Sequence, residues 1–321
     1  MYLEQLEGVY AIARTRYSIS TAAESLGKSQ SALSRQVKEL ELELGVQIFV
    51  RTRNKVVGLT LDGEKVLAIA LRMRNAVKEL REISSGRSFE APGEIRIATT
   101  HVYARYLLPS VIKRFSEKFP QVSLSLQQSD PAQCRAIIAA GDADIGIVTS
   151  EKASESVVTI PIYKLPRCVI VPQGHPLTEM KKLTLAQLAK HPIIAYPVSF
   201  SGRSTLMEQF EAAGLTPRIV CSGTDADVCK SYVEIGMGVA VIARAAFDEK
   251  RDARLVALKA DHLFPSGVLT LVCRKNGYLT PAIEAFLGIL APHVKVGQVL
   301  RAMKGADFDR DELTRTAPLY E

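Results

Sequence analysis

With 321 residues, the chain is long enough for two or three domains, because a single hydrophobic core seldom serves more than about 200 residues. Apolar residues form 47% of the sequence and charged residues 23%, and no apolar run approaches the roughly 20 residues of a transmembrane helix, which excludes a membrane-spanning protein. The formal net charge of +7 favours a polyanionic partner but does not require one.

The amino-terminal end and the cysteines indicate where the protein works. Residues 1–7 are acidic and amphipathic, whereas a secretion signal begins with basic residues and a continuous apolar stretch, so we expect a cytoplasmic protein without membrane contact. The 5 cysteines are scattered and are never spaced as C-x-x-C. This pattern favours buried thiols over a disulfide framework or a zinc site, and we expect neither a metal nor a cofactor.

The first part of the chain predicts a helix-turn-helix. A first helix is predicted by apolar residues at helical spacing, namely Leu3, Leu6, Val9, Tyr10 and Ala13. Ser20 is the expected N-cap of a short second helix that ends at Gly27, and a third helix follows over residues 28–40. Two short helices joined by a tight glycine turn are typical of this DNA-binding motif.

The third helix carries the side chains that a groove-reading helix requires. Leu33, Val37 and Leu40 fall on one face, and small serine and alanine residues near the helix start allow its backbone to approach DNA. The polar residues of the other face can form hydrogen bonds with base edges. Taken alone, such a face is also typical of a solvated helix, but the segment that follows favours DNA binding.

A basic turn between two short strand-like runs follows in residues 44–60 and predicts a wing. Its basic side chains suit phosphate contacts, which add salt-dependent affinity without reading sequence. The predicted DNA-contacting residues of the helix and the wing are Lys28, Ser29, Gln30, Ser31, Ser34, Arg35, Lys38, Arg51, Arg53 and Lys55.

A long helix is predicted next, over residues 61–83, with Thr60 as a loose cap. The spacing of 4-3-4-3 that coiled-coil seams share is found at Val66, Ala70, Met73, Val77 and Leu80. This pattern favours a dimerisation helix over one that packs only within its own domain. In such a dimer the two DNA-binding domains, or reading heads, are related by a twofold axis and match an inverted repeat in double-stranded DNA.

Together these segments resemble the amino-terminal domain of LysR-type transcriptional regulators. The resemblance rests on Ala22-Ala23, residues 29–34, Leu40-Glu41, Leu44-Gly45, Phe49, Arg51 and the Leu59-Thr60-x-x-Gly63 motif, all in order. It implies an α/β protein with an N-terminal all-α winged helix-turn-helix, a long linker helix, and a two-lobed periplasmic-binding-protein-like effector domain after a hinge.

The remaining chain supports that expectation. Residues 84–93 are polar with Pro92 and Gly93 as breakers, which predicts the hinge. Strands and helices then alternate in two units, over residues 94–149 and about 167–264, and this alternation predicts mostly parallel sheets. Residues 103–119 form one amphipathic segment, a helix is expected over residues 204–213, and residues 268–290 return to the first unit.

We therefore expect four segments along the chain. They are the DNA-binding domain at 1–60, the linker helix and hinge at 61–87, the effector domain at 88–293, and an extension at 294–321. Within the effector domain, lobe I covers about 93–163 and 268–293, and lobe II covers about 164–267. The extension is compatible with a packed helix or with partial disorder.

Four loops rich in hydroxyl groups follow predicted strands, where α/β sheets bind their ligands. Hydroxyl and backbone donors there suit an oxyanion, with Arg203 or Arg105 as candidate counter-charges, although threonine and serine also cap helices without binding anything. The predicted effector-binding residues are Thr99, Thr100, His101, Val102, Tyr103, Thr149, Ser199, Ser201, Arg203 and Thr224.

The effector domain resembles the CysB branch of the LysR-type regulators, which control sulfur assimilation. The resemblance rests on residues 99–106, 200–204, 213–220 and 224–228. It implies a transcriptional activator, dimeric or tetrameric, that acts with RNA polymerase and responds to sulfate-like anions or O-acetylserine-type metabolites. It also implies that Thr100, Thr149 and Ser201 match the hydroxyl contacts of the anion site.

The sequence departs from this branch at one place. Val102 and Tyr103 stand where the branch usually has Thr-Gln, which replaces two polar side chains with apolar and aromatic bulk. This change favours an anion with an organic portion, such as a sulfonate or an acetylated amino acid, over inorganic sulfate. A LysR-type regulator with a non-sulfur effector is an alternative, and a small-molecule receptor without DNA binding is a remote one.

Enzymatic activity is not expected. The 5 histidines are dispersed, and the sequence contains no H-E-x-x-H, Walker loop, G-x-G-x-x-G or G-x-S-x-G motif. His101, beside one hydroxyl loop, is interpreted as a hydrogen-bonded loop histidine.

Overall fold

The computed structural model describes residues 1–53, 55–84, 93–149, 154–306 and 309–320. The chain divides into two compact units, Met1–Gly86 and Arg87–Glu321. Most of the predicted hinge lies outside the described residues, as does Ser150. None of the described helices is both long and apolar enough to cross a membrane.

The amino-terminal unit is a winged helix-turn-helix followed by a long helix, as predicted. Its elements are α1 (Leu3–Arg14), α2 (Ile19–Ser25), α3 (Gln30–Leu44), β1 (Phe49–Thr52), β2 (Lys55–Leu59) and α4 (Leu61–Ser84). β1 and β2 pair in antiparallel register to form the wing. Leu6, Val9, Ala22, Leu33 and Phe49 are buried and join α1, α2, α3 and the wing in one core.

Local hydrogen bonds explain where these helices begin and end. The prediction that Ser20 caps α2 was wrong, because Ser18 takes the extended conformation and its Oγ accepts a hydrogen bond from the Thr21 N–H. The Oγ of Ser29 caps α3 in the same way, at 3.2 Å from the Ala32 nitrogen. The turn between them contains Gly27 at φ +63°, a conformation that glycine adopts without a steric penalty.

The two halves of α4 have different surroundings. Near its start, Val66, Leu67 and Ala70 pack against the core of the unit, and the Arg74 guanidinium lies 3.8 Å from the centre of the Tyr10 ring. Further along, Leu80 leaves 65% of its surface exposed. In the first half of α4 the predicted apolar stripe therefore packs against the core of its own unit, and in the second half it is exposed.

The carboxy-terminal unit contains the following elements in chain order. They are β3 (Gly93–Thr99), α5 (His101–Tyr106), α6 (Leu108–Lys118), β4 (Val122–Gln128), α7 (Pro131–Ala140), β5 (Ile145–Thr149), β6 (Val157–Leu165), β7 (Arg167–Pro172), α8 (Leu185–Leu188), β8 (Ile193–Ala195), α9 (Ser201–Ala212), β9 (Ile219–Ser222), α10 (Ala226–Glu234), β10 (Val239–Ala243), β11 (Leu255–Lys259), β12 (Gly267–Arg274), α11 (Pro281–Leu290), α12 (Val296–Met303) and α13 (Arg310–Thr316).

These elements form two lobes, each around its own five-stranded sheet. Lobe I has the order β4-β3-β5-β12-β6, and lobe II has the order β11-β7-β10-β8-β9. Both sheets are mixed, so the prediction of mostly parallel sheets was wrong. In lobe I, β12 runs antiparallel to both neighbours, because the chain crosses to lobe II after β6 and returns at β12.

Several predicted elements have different bounds in the structure. The amphipathic segment of residues 103–119 is two helices, α5 and α6, and Pro109 lies in the first turn of α6. Proline favours that position because the first turn needs no N–H donor. The helix expected over residues 204–213 starts earlier, at Ser201, so its first turn includes Ser201 and Gly202.

The carboxy-terminal extension is packed against lobe I where it is described. Val299, Ala302 and Met303 of α12 are buried in the core of that lobe. After α13, the Tyr320 ring stacks edge-on against Tyr163, with 5.4 Å between ring centres, and the Lys164 N–H donates to the Pro318 carbonyl. Of the two alternatives for the extension, the structure favours packed helices.

Candidate functional sites

The exposed face of α3 carries most of the residues predicted to read DNA. Leu33, Val37 and Leu40 face the core, which leaves the opposite face to polar side chains. Gln30, Ser31, Arg35 and Lys38 are exposed there, and Ser34 is half-buried. Exposed side chains at the start of a helix can enter a major groove without any rearrangement of the core.

Two of the residues predicted to contact DNA have partners within the amino-terminal unit. The Nζ of Lys28 lies 2.9 Å from a Glu4 carboxylate oxygen and 3.1 Å from the Gln36 side-chain oxygen, which joins α1 to α3. Arg51 donates two hydrogen bonds, at 2.9 and 3.2 Å, to the Glu41 carboxylate. Arg51 and Lys28 therefore have defined intramolecular partners.

The Glu41 carboxylate anchors the wing to α3. Its Oε1 also accepts hydrogen bonds from the backbone N–H groups of Ile48, at 2.8 Å, and Phe49, at 3.2 Å. With Arg51 attached to this carboxylate, the wing leaves Arg53 and Lys55 as its exposed basic side chains. Of the three basic residues in the predicted wing, these two are the exposed ones.

A cavity that is partly open to solvent lies between the two lobes of the carboxy-terminal unit. Lobe I contributes Thr100, Val102, Tyr103 and Thr149, and lobe II contributes Tyr196, Phe200, Ser201 and Gly202, with Leu165 and Arg167 on the strands that connect the lobes. We call this cavity the effector pocket. It brings together residues that are more than 100 positions apart in the sequence.

Five of the ten predicted effector-binding residues line the effector pocket: Thr100, Val102, Tyr103, Thr149 and Ser201. The other five lie elsewhere. Thr99 is buried, and its hydroxyl donates to the Ile147 carbonyl at 2.7 Å. Ser199 and Thr224 are exposed, Arg203 is half-buried on α9 outside the pocket lining, and His101 faces α10.

The hydroxyl groups of the pocket differ in their availability. The Tyr103 hydroxyl forms a hydrogen bond with the Thr149 hydroxyl. The hydroxyls of Thr100 and Ser201 have no hydrogen-bond partner within the described ranges, and neither caps the helix that it begins. These two hydroxyls come from opposite lobes, so a polar ligand that binds both would bridge the lobes.

Sequence reasoning missed Arg167, the first residue of β7. Its side chain lines the effector pocket although the residue is only 8% exposed. Its Nε donates to the Pro265 carbonyl at 3.1 Å, and its Nη2 lies 3.4 Å from the Thr205 hydroxyl. The signal in the sequence is a basic residue directly before the apolar run from Cys168 to Val171, at a position where charge is costly.

Burial shifts the pKa values of three side chains in the pocket. It lowers the pKa of the Arg167 guanidinium, but an arginine still keeps its proton. Burial raises the pKa of the Tyr103 and Tyr196 hydroxyls, so both stay neutral. Among the described residues that line it, the pocket therefore offers neutral hydroxyl donors beside one buried cation, Arg167.

A polar network joins the lobes next to the pocket. Asp227 of α10 lies 3.1 Å from the His101 Nε2 and 3.0 Å from the Arg105 Nε, and it accepts a hydrogen bond from Tyr106. Lys230 donates to the Tyr106 hydroxyl at 2.8 Å. We call these five residues the interlobe latch. Arg105, a candidate counter-charge for the effector, is thus paired with Asp227.

The latch also brings three possible metal ligands together. His101, Asp225 and Asp227 offer ligand atoms within 4.8 Å of one another. However, Arg105 and Lys230 already place positive charge at this cluster, and Asp225 caps α10 by accepting from the Val228 N–H. This charge balance disfavours a cation.

Comparison with known families and proteins identifies the chain. Residues 3–64 match the model described as bacterial regulatory helix-turn-helix protein, lysR family, and residues 90–295 match the LysR substrate binding domain. The chain belongs to the LysR family of transcriptional regulators. It is a DNA-binding regulator and not an enzyme, as the sequence predicted.

Several relatives place this LysR regulator in the CysB-like branch. It is 38% identical over 307 residues to the transcriptional regulator SsuR of Burkholderia cenocepacia, covering 95% of this chain and 100% of that protein. It is 35% identical to CysB of the same species, covering 95% and 98% of the two chains. The crystal structure of the cofactor-binding domain of Cbl matches with a TM-score of 0.63 and 35% identity, over 66% of this chain and 93% of that one.

Proposed function

We propose that this LysR regulator activates genes of sulfur assimilation or sulfur-source use when a small anion binds the effector pocket. Sulfate, a sulfonate and O-acetylserine are the candidate effectors. One observation carries the proposal: the hydroxyls of Thr100 and Ser201, which have no partner among the described residues, face one pocket from opposite lobes beside the buried cation of Arg167. Hydrogen bonds from such donors to an anion are charge-assisted and therefore strong.

The lining of the pocket favours an effector with an organic portion. Val102, Leu165 and Phe200 supply apolar surface that inorganic sulfate would leave unused. An apolar group of the ligand would gain free energy by covering this surface. The alternative is a regulator of another pathway with a carboxylate effector, because a carboxylate presents a similar anionic oxygen to the same donors.

The proposed mechanism requires the effector to distinguish two arrangements of the lobes. A ligand shifts a conformational equilibrium only by its difference in affinity for the two states. An anion bound to both Thr100 and Ser201 has that property, since it loses one contact when the lobes part. Closure would change the packing of the effector domains in a dimer or tetramer, and so the DNA bend presented to RNA polymerase.

The proposed DNA contacts follow from exposure. Gln30, Ser31, Ser34 and Arg35 would read base edges, while Lys38 and the exposed wing would contact phosphates. We also propose the domain boundaries given above: 1–60 for DNA binding, 61–87 for the linker, 88–293 for effector binding and 294–321 for the extension. The linker helix would join two copies over an inverted repeat.

Calorimetric titration of the full-length protein tests the effector site. Sulfate, ethanesulfonate and O-acetylserine are titrated into the wild type and into two matched variants, Ser201→Ala in the pocket and Ser199→Ala outside it. Loss of one hydrogen bond to a charged ligand should weaken binding by about 10-fold in Ser201→Ala and leave Ser199→Ala unchanged. Equal affinities in all three proteins would place the effector elsewhere.

A further inference from the structure

No acidic side chain of the described residues pairs with the charge of Arg167. Arg167 lies in the cleft between the lobes, more than nine-tenths buried. Its acceptors are a carbonyl and a threonine hydroxyl, and no carboxylate of the described residues lies within 4 Å of its guanidinium. Buried charges are normally paired, because removing an ion from water costs several kcal/mol.

The unsatisfied side of this guanidinium faces the effector pocket. Nε and Nη2 have acceptors, but Nη1 has none within the described part of the chain. Nη1 lies beside Gly202, 3.2 Å from the position that a Cβ on this glycine would take. Two N–H donors are therefore available at the place where Ser201 and Gly202 line the pocket.

The start of α9 adds N–H donors at the same place. The first N–H groups of a helix have no acceptor within the helix, and they carry the positive end of its dipole. At Phe200, which precedes this 12-residue helix, no side chain caps these groups. The buried cation and the uncapped helix start thus converge on Gly202.

We propose that Arg167 is the counter-ion of the effector, and that the pocket selects a monoanion with a small apolar group, such as a sulfonate or carboxylate, over a dianion such as sulfate. This inference rests on the proposed function of the same pocket. A single cation balances a single negative charge. Tyr103 and Tyr196 stay neutral, because burial raises the pKa of both hydroxyls, and so neither cancels the charge of Arg167.

Arg167 also borders a second cavity, which the test must separate from the effector pocket. That cavity is lined by Arg244, Lys259 and Asp261 in addition to Arg167. Lys259 is exposed and takes no part in the effector pocket. Lys259→Met is therefore a matched control, since it removes a cation from the second cavity only.

The experiment is calorimetric titration of the full-length protein with ethanesulfonate, propionate, sulfate and the neutral ethyl methyl sulfone. We expect one of the two monoanions to bind the wild type at least about 10-fold more tightly than sulfate. Arg167→Met should weaken monoanion binding by about 10- to 100-fold, the range for a hydrogen-bonded ion pair, without changing the affinity for the sulfone. Arg167→Lys keeps the charge, so its affinity for the monoanions should lie between those of the wild type and Arg167→Met. Lys259→Met should bind the monoanions with the affinity of the wild type.

Three results would overturn the inference. They are sulfate binding as tightly as the monoanions, Arg167→Met binding them like the wild type, and Lys259→Met losing as much affinity as Arg167→Met. The comparison of sulfate with the monoanions uses only the wild type, so it tests the inference even if Arg167→Met folds poorly. Failure of the wild type to bind any of these anions would overturn the proposed effector class as well, whereas wild-type affinity in Arg167→Met overturns only the role of Arg167.

Discussion

Gly202 lies where the effector pocket has no room for a side chain. A Cβ at this position would be 2.9 Å from the Tyr196 ring and 3.2 Å from the Arg167 Nη1. Both neighbours are buried, so neither can move away freely. The absence of a side chain thus keeps the start of α9 open to a ligand.

Gly202→Ala should therefore weaken effector binding by about 10-fold, since the methyl group displaces Arg167 or Tyr196. Titration calorimetry with the effector that binds the wild type measures this change. Gly288→Ala in α11 is the matched control, because a Cβ there meets no atom within 4 Å. If both variants bind like the wild type, the ligand does not approach the first turn of α9.

Arg51 and Lys55 are both basic residues of the wing, but the structure separates their roles. Arg51 is paired with the nearly buried Glu41, whereas Lys55 is exposed. Arg51→Met should lower the free energy of unfolding by about 1–3 kcal/mol, because it leaves Glu41 without its cation. Lys55→Gln should leave stability unchanged and reduce the slope of log affinity against log salt by about 1, as expected for one lost phosphate contact.

Urea unfolding and DNA-binding titrations at graded salt measure these two quantities for each variant. A reduced salt slope and unchanged stability in Arg51→Met would show instead that this arginine contacts DNA. The sequence predicted such a contact for both residues, because the partner Glu41 lies 10 positions away on another element.

At the scale of elements, α5 connects the effector pocket to the interlobe latch. Thr100, Val102 and Tyr103 face the pocket, while His101, Arg105 and Tyr106 bond to α10 of the other lobe. Burial by itself raises the pKa of Asp227, but hydrogen bonds from Tyr106 and His101 and the charges of Lys230 and Arg105 outweigh it, so its pKa lies below the usual value. The carboxylate form therefore holds the lobes together.

The lowered pKa of Asp227 determines the direction in which the stability of the protein changes with pH. Its stabilising contribution is present above the ordinary carboxyl pKa of about 4 and is lost as the pH falls through the lowered pKa in the folded protein. Asp227→Asn should therefore reduce stability at pH 7 and flatten its decline below pH 4. Thermal unfolding between pH 3 and 7 tests this, with the exposed Asp311→Asn as control. If the thermal stability of Asp227→Asn depends on pH in the same way as that of the wild type, the Asp227 carboxylate does not hold the lobes together.

The open half of α4 is the element we expect to join two copies of the chain. Leu80 is exposed, as is Met73 one heptad earlier, so their burial in a partner would stabilise a dimer. Leu80→Glu should weaken dimerisation by about 10-fold or more, from the loss of one buried leucine side chain. Sedimentation equilibrium measures the dissociation constant of the dimer. Arg72→Glu, at an exposed position of the same helix, is the control. Unchanged dimerisation in Leu80→Glu would move the interface elsewhere.

The elements that the sequence predicted best are those with strong local signals. Apolar spacing and the Ser29 cap define α3, and the basic turn defines the wing. Strand β6 was not predicted, because Pro161 interrupts its apolar run. Proline is tolerated there because β6 is an edge strand with a register shift beside Pro161. β11 was also missed, although it pairs with β7 over five residues.

For the candidate site, the sequence predicted hydroxyl groups but not their convergence. Thr100, Thr149 and Ser201 follow strands, a position that general rules associate with ligands. Thr224 follows the same rule but lies outside the pocket, since only the three-dimensional arrangement decides which strand ends meet. The local signal at Arg167, a basic residue directly before an apolar run, does not by itself indicate a function, because that depends on whether a carboxylate of the described residues lies nearby.

At the scale of the whole molecule, the chain consists of two units with different exposed features. The amino-terminal unit has a polar helix face and an exposed basic wing, which we propose contact DNA. The carboxy-terminal unit presents a pocket whose donors come from both lobes. Regulation requires that occupancy of the pocket changes what the reading heads do on DNA, which is a coupling between two distinct sites.

A DNA footprint with and without the effector measures this coupling most directly. The full-length protein is bound to a fragment selected from random DNA, at constant salt, and the effector that binds the wild type is then added to saturation. We expect the protected region to change in the wild type and in Ser199→Ala, and to stay the same in Ser201→Ala. A wild-type footprint that does not respond to the bound effector, or an identical response in Ser201→Ala, would contradict the account.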